Sequence, residues 1–167
     1  MNMQKHPITI IGINPGAKYL GIAVFRGPEL RDWRIKVTKG RWSNEKYRKT
    51  MKILAEIIEQ YRPDVFSIKR LHPSRSSVSL DRLVKKIIAS SEKEGMKVYQ
   101  YGIKELETFF YAEGRCNKRK MAEMITSEYP VLHYELNLER RNKNPYRIRM
   151  FEAVGLGAIC FHQLDNH

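Results

Sequence analysis

Acidic residues are scarce in this chain of 167 residues: 18 Asp and Glu stand against 31 Lys and Arg, a formal net charge of +13. An excess of that sign and size points to a polyanionic partner, nucleic acid first among them. An acidic membrane surface is the competing partner, yet neither a basic amphipathic helix nor a lipidation signal is found. Long apolar runs are missing too, so no segment approaches the length of a membrane span. The first residues do not form a charged-then-apolar leader ending in small residues, so a cytoplasmic protein is expected. Cysteine is nearly absent. Cys116 and Cys160 lie far apart with no metal spacing around them and read as two reduced thiols. Neither a G-x-G-x-x-G run nor a P-loop occurs, which removes the common nucleotide-binding motifs. No repeat and no linker divides the chain. A hydrophobic content of 42% suits one globular domain, residues 1–167, long enough to bury about two-thirds of its unfolded surface.

What is present is organised around Ile8 to Phe25, two apolar runs separated by Asn14-Pro15-Gly16. The first run is β-branched and bounded by Pro7 and Pro15, which is too short for a helix, so it reads as a buried strand. The second run returns antiparallel, which leaves Asn14 at the mouth of a central strand. Glu29 to Thr38 alternates well enough for a third strand. Ser43 then serves as the N-cap of a helix whose Tyr47, Met51, Leu54, Ile57, Ile58 and Tyr61 share one face. Pro63 stops that helix. Asp64 to Lys69 follows as a short buried strand, parallel to the first by the crossover rule. A loop over Leu71 to Ser79, a helix from Ser79 to Glu94 ended by Gly95, and a fifth strand from Met96 to Tyr101 come next. Helices are predicted over Lys104 to Tyr111, Lys118 to Glu128 and Ile148 to Leu164, with Glu139 to Arg147 left as a polar, basic segment.

Three stretches in this order carry a resemblance: the strand ending in Asn14-Pro15-Gly16, the run Pro63 to Leu71, and Phe151-Glu152-Ala153-Val154-Gly155-Leu156-Gly157-Ala158-Ile159. Together they resemble the RuvC-type Holliday-junction resolvases of the ribonuclease H-like superfamily, over about residues 7 to 163. The stretch from Tyr101 through Lys118 and Lys120 resembles the family's approach to its junction-facing helix. The resemblance implies an α/β domain of ribonuclease H-like fold, with a mixed five-stranded sheet in order 3-2-1-4-5 and helices on both faces. It also implies two-fold dimers, and phosphodiester hydrolysis by two divalent ions held on carboxylates. In the family the first strand reads Ile-Asp-Pro-Gly, the fourth ends Ile-Glu and the last helix begins Asp-x-x-Asp-Ala-Leu. The four carboxylate positions fall on Asn14, Lys69, Arg149 and Glu152.

Only Glu152 of these is an acid. Two cations, one carboxylate and one neutral amide give the quartet a net +1 where the family has about −4. Mg²⁺ or Mn²⁺ needs hard carboxylate oxygens, and like charges about 4 Å apart repel by several kcal/mol in a cleft of intermediate dielectric. No metal is therefore expected. Three readings stand side by side. Lys69 and Arg149 contact a backbone phosphate, and the protein binds branched or duplex nucleic acid without cutting it. Or Lys69, Arg149 and Glu152 pair with one another, and the fold serves as a protein-interaction module. Or a metal site is rebuilt from other acids, Asp64, Asp81, Glu105 and Glu135 being nominal candidates, and the protein is an active Mg²⁺- or Mn²⁺-dependent junction endonuclease.

Further candidates for phosphate contacts are Arg70, Arg75, Arg115, Lys118, Arg119, Lys120, Arg140, Arg141, Lys143 and Arg147, clusters in which acids do not alternate with the bases. His72 and Arg82 lie with Arg70 and Arg75 where the family's fold meets the junction. Phe109-Phe110-Tyr111 is an aromatic wedge or a packing element on equal terms. Trp33, Trp42 and Tyr47 read as packing residues. The apolar positions Leu80, Leu83, Val84, Ile87 and Ile88 serve the sheet, or are shared with a twin subunit in a homodimer.

Overall fold

The pleat of one central strand determines which side chains meet which helix. In the computed structural model, which describes residues 6–141 and 146–166, that strand is β1, Thr9–Asn14. It pairs antiparallel with β2, Tyr19–Arg26, which pairs antiparallel with β3, Glu29–Val37. On its other side β1 pairs parallel with β4, Val65–Lys69, and β4 pairs parallel with β5, Lys97–Tyr101. The sheet order is β3-β2-β1-β4-β5, as the resemblance implies.

Alternation along each strand sorts the core into two layers. Ile11, Ile13, Leu20, Ile22, Val24, Phe66 and Ile68 face α1, Asn44–Tyr61, and α2, Val78–Lys93. Ile10, Ala23, Phe25 and Val65 face the other way, onto α6, Tyr146–Asp165. Beyond α6 lie α3, Ile103–Phe110, α4, Lys118–Glu128, and α5, His133–Arg141. Helix α6 is therefore sandwiched, with buried residues all round from Met150 to Cys160. Helix α5 is not expected from the sequence, and its last three residues, 139–141, open the segment read there as polar and basic. It buries only Leu136, so it has too narrow an apolar stripe to be read from periodicity, and it forms by docking on α4.

Two glycines allow α6 to lie directly on the strands. A Cβ at Gly12 would stand 2.1 Å from the carbonyl oxygen of Ala153, and one at Gly21 would stand 2.1 Å from that of Arg149. Both conflicts are with helix backbone, which does not swing aside as a side chain does. The contact brings the N-terminal half of α6 down beside the end of β1. Gly12→Ala is therefore expected to destabilise the fold by about 3 kcal/mol, seen as a lowered urea midpoint.

Candidate nucleic-acid interface

Strands β1 and β4 end side by side, after which the chain departs toward β2 on one side and leaves β4 beside β5 on the other. Crevices of this kind at the carboxyl ends of parallel strands are where α/β folds place ligands. Asn14 closes β1 and Lys69 closes β4, and the pleat turns both toward α6. One strand-to-helix hydrogen bond fixes the helix there: the buried Ser67 hydroxyl donates to the carbonyl of Leu156 at 2.7 Å. Glu152, one turn earlier on α6, is thereby brought between the two strand ends.

Its carboxylate is held from two sides. Asn14 Nδ2 donates to Glu152 Oε2 at 2.6 Å and to the Arg149 carbonyl at 3.3 Å, while Lys69 Nζ donates to the same Oε2 at 2.8 Å. Lys118 Nζ, at the start of α4, stands 4.0 Å from Oε1. The Arg149 guanidinium lies against Gly16 in the turn after Asn14. Glu152 is 1% exposed and Asn14 0% exposed, so the carboxylate has lost its hydration and depends on these donors. The structure brings Asn14, Lys69, Arg149 and Glu152 together at the ends of β1 and β4. The approach of Lys118 was not legible in the sequence, because it depends on how α4 docks on α6.

A divalent ion does not fit this donor set. Such an ion needs several oxygen ligands, and Glu152 Oε2 already accepts from an ammonium and an amide N–H. The buried Glu152 Oε1 and Asn14 Oδ1, which have no hydrogen-bond partner among the described residues, are too few beside two ammonium groups. The alternative acids do not converge. Asp64 accepts from the Thr9 amide at the other end of the strands, Asp81 from Ser76, Glu105 pairs with Arg70 and Glu135 with Arg147. Among the described residues no three His, Cys, Asp or Glu side chains are grouped as metal ligands.

The basic candidates divide by their partners. Arg115, Lys118 and Arg119 are exposed, and Lys120 lies with its ammonium 5.3 Å from the Tyr111 ring, so the start of α4 extends the positive site. Arg70 joins Glu105 at 2.8 Å and the Gln100 carbonyl at 3.2 Å, tying β4 to β5 and α3. Arg140 lies 3.6 Å from Glu123, and Arg147 lies 3.4 Å from Glu135. The expectation that acids do not alternate with these bases is corrected here: the helix that forms over residues 133–141 brings Glu135 and Glu139 beside Arg147. Burial pushes the Glu139 carboxyl above its ordinary range, against the opposing pull of Arg147 and Arg119. Arg141 is exposed at the end of α5. Lys143 and the side chain of Arg75 lie outside the described residues. Phe110 is 6% exposed and Phe109 packs edge-on against it and against His162, so these two rings belong to the core and form no wedge. Trp42 packs on Tyr47, as expected.

A family model, crossover junction endodeoxyribonuclease RuvC, matches residues 10–136 of the chain. A crossover junction endodeoxyribonuclease RuvC of Tolumonas auensis is 24% identical over 124 residues, 70% of this chain and 71% of its own length. T. thermophilus RuvC, solved in complex with Holliday junction substrate, superposes with a TM-score of 0.71 at 16% identity, covering 95% of this chain and 96% of that one. The yeast mitochondrial Holliday junction resolvase Ydc2 superposes with a TM-score of 0.64 at 11% identity, covering 99% and 84%. The likeness establishes the ribonuclease H-like fold. The family match ends before α6, so Arg149 and Glu152 rest on the geometry described above.

The ion pair carries a stability prediction. Removing one partner of a buried pair leaves the other charge uncompensated. Lys69→Met is expected to cost about 3 kcal/mol in urea unfolding, and adding Glu152→Gln to that variant should return at least about half of the loss.

Proposed function

The chain belongs to the RuvC family of crossover junction endodeoxyribonucleases, and from that premise we propose that it binds branched or duplex DNA, as a homodimer, without cutting it. The observation that carries the reading is the Lys69 ammonium 2.8 Å from Glu152, between the ends of β1 and β4. A lone carboxylate at that place would repel a phosphate. Paired with Lys69 it is neutral, and the charge that remains at the rim is that of Arg149 and Lys118. Arg149 offers a planar fork suited to two oxygens of one phosphate, and Lys118, exposed on α4, offers a mobile point charge. Such contacts give affinity without reading sequence.

Hydrolysis in this family depends on divalent ions that generate the nucleophile and stabilise the leaving oxygen. The Asn14, Lys69 and Glu152 cluster leaves two oxygens without hydrogen-bond partners among the described residues, Asn14 Oδ1 and Glu152 Oε1, and the ammonium groups of Lys69 and Lys118 beside them oppose a divalent ion. The neighbouring T. thermophilus protein, solved on a Holliday junction substrate, supports a four-way junction as the DNA form to test first. Two-fold symmetry suits such a junction, since equivalent strands are then engaged by equivalent sites.

The purified protein is expected to bind a four-way junction with an affinity that falls at least about tenfold between about 50 and 200 mM salt. EDTA should leave the affinity unchanged, and no cleaved strand should appear with Mg²⁺ or Mn²⁺. Arg149→Ala together with Lys118→Ala should weaken binding about tenfold by fluorescence anisotropy. Cleavage that is lost with chelator would establish the nuclease instead, and the absence of both binding and cleavage would establish an interaction module.

A further inference from the structure

The edge of the sheet that carries Asn14 and Lys69 also carries the end of β3. Val37, its last residue, pairs with Tyr19 at the start of β2, and the Thr38 amide donates to the Lys18 carbonyl at 2.8 Å. Here, beside the N-terminus of α1, a cavity of about 370 Å³ is lined by Thr38, Lys39, Arg41, Lys46 and Lys49, with Glu45 the one carboxylate among its walls. It takes no part in the site at Glu152.

Thr38 is 7% exposed, and its hydroxyl has no hydrogen-bond partner among the described residues. A buried hydroxyl in that state lacks about 1–3 kcal/mol of hydrogen bonding that a ligand oxygen would supply. Helix α1 has 18 residues, starts at the cavity and is capped by Ser43, whose hydroxyl accepts from the Lys46 amide. Its positive dipole end therefore lies in the wall. Arg41 and Lys49 are exposed and form no ion pair among the described residues. Lys39 lies 5.6 Å over the Tyr19 ring.

Lys46 has a different part. It is 8% exposed, and its ammonium donates to the carbonyls of Ala17 at 2.5 Å and Gly40 at 2.8 Å while lying 4.2 Å from the Trp42 ring centre. It ties the turn that follows Asn14 to the loop that forms the cavity. The two sites are thus joined by one lysine and share one edge of the sheet.

We propose that this cavity is a second phosphate site, taking a backbone phosphate of the DNA whose other contacts lie at Arg149 and Lys118; in this it rests on the DNA-binding reading. The Thr38 hydroxyl donates to one phosphate oxygen, and Arg41 and Lys49 neutralise the rest. Free phosphate has the same chemistry, so the test uses both ligands.

Four-way-junction binding is measured over a salt series for the wild type, for Thr38→Val and for Arg41→Gln with Lys49→Gln. The charge variant should bind about fivefold more weakly, and its log-affinity against log-salt slope should be shallower by about 1, the loss of one phosphate contact. Because Arg41 and Lys49 are exposed, this variant keeps the fold even where Thr38→Val disturbs it. In parallel, NMR follows the Thr38 and Gly40 amides of the wild type as inorganic phosphate is added, against chloride at equal ionic strength. Saturable shifts with phosphate alone are expected. Unchanged junction affinity and slope in the charge variant, beside a wild type that binds, would overturn the proposal. A wild type that binds no junction would overturn the DNA reading instead; phosphate shifts would then leave a site for free phosphate, and their absence would remove the cavity as an anion site.

Discussion

A carboxylate withdrawn from water must be answered by donors, and the answer given to Glu152 governs everything around it. Asn14 and Lys69 reach it from two adjacent strand ends, so the pairing of β1 with β4 and the seating of α6 are both written into three side chains. Such a pair adds little net stability, since the desolvation of both ions offsets most of their attraction. What it does add is a requirement. The strands and the helix must meet in one register, because any slip strands a charge in the interior.

The same geometry decides what the site is able to do. Two metal ions would need the strand ends to present lone pairs inward. Here the Asn14 amide and the Lys69 ammonium present N–H groups inward, both directed at Glu152 Oε2. The difference lies in the side-chain heads and leaves the backbone alone, since Gly12 and Gly21 still let α6 rest on the strands. Under the DNA-binding reading, the fold keeps its crevice while the charge inside it reverses sign.

Much of this was legible in the sequence because it depends on short-range regularities. The β-branched run ending at Asn14, the proline stop before β4 and the helical rhythm of α1 and α2 each fix an element locally. Their order then fixes the sheet, and the sheet fixes where positions 14, 69 and 152 meet. The rest depends on packing between distant segments. Helix α5 has one buried side chain and no periodic signal, yet it supplies the acids that turn Arg147 inward. Phe109 and Phe110 read equally as wedge or core until α3 is seen lying against α6. Thr38 looks like an ordinary strand terminus until the loop beyond it folds back over α1.

The positions of the remaining charges give the edge its character. Lys69 is neutralised by Glu152, and Lys46 is held by two carbonyls, with burial lowering its pKa from the ordinary lysine value. Neither is free to follow a ligand. The remaining cations, Arg149 and Lys118 on one side and Arg41 and Lys49 on the other, stand outside these fixed ones, Lys118 only loosely beside Glu152. Fixed inner charges set the shape of the edge, and mobile outer charges meet the polyanion, where salt screens them readily. Under the DNA-binding reading, grip on the strand then follows the monovalent salt around the protein, whereas a site built of carboxylates would follow its divalent metal.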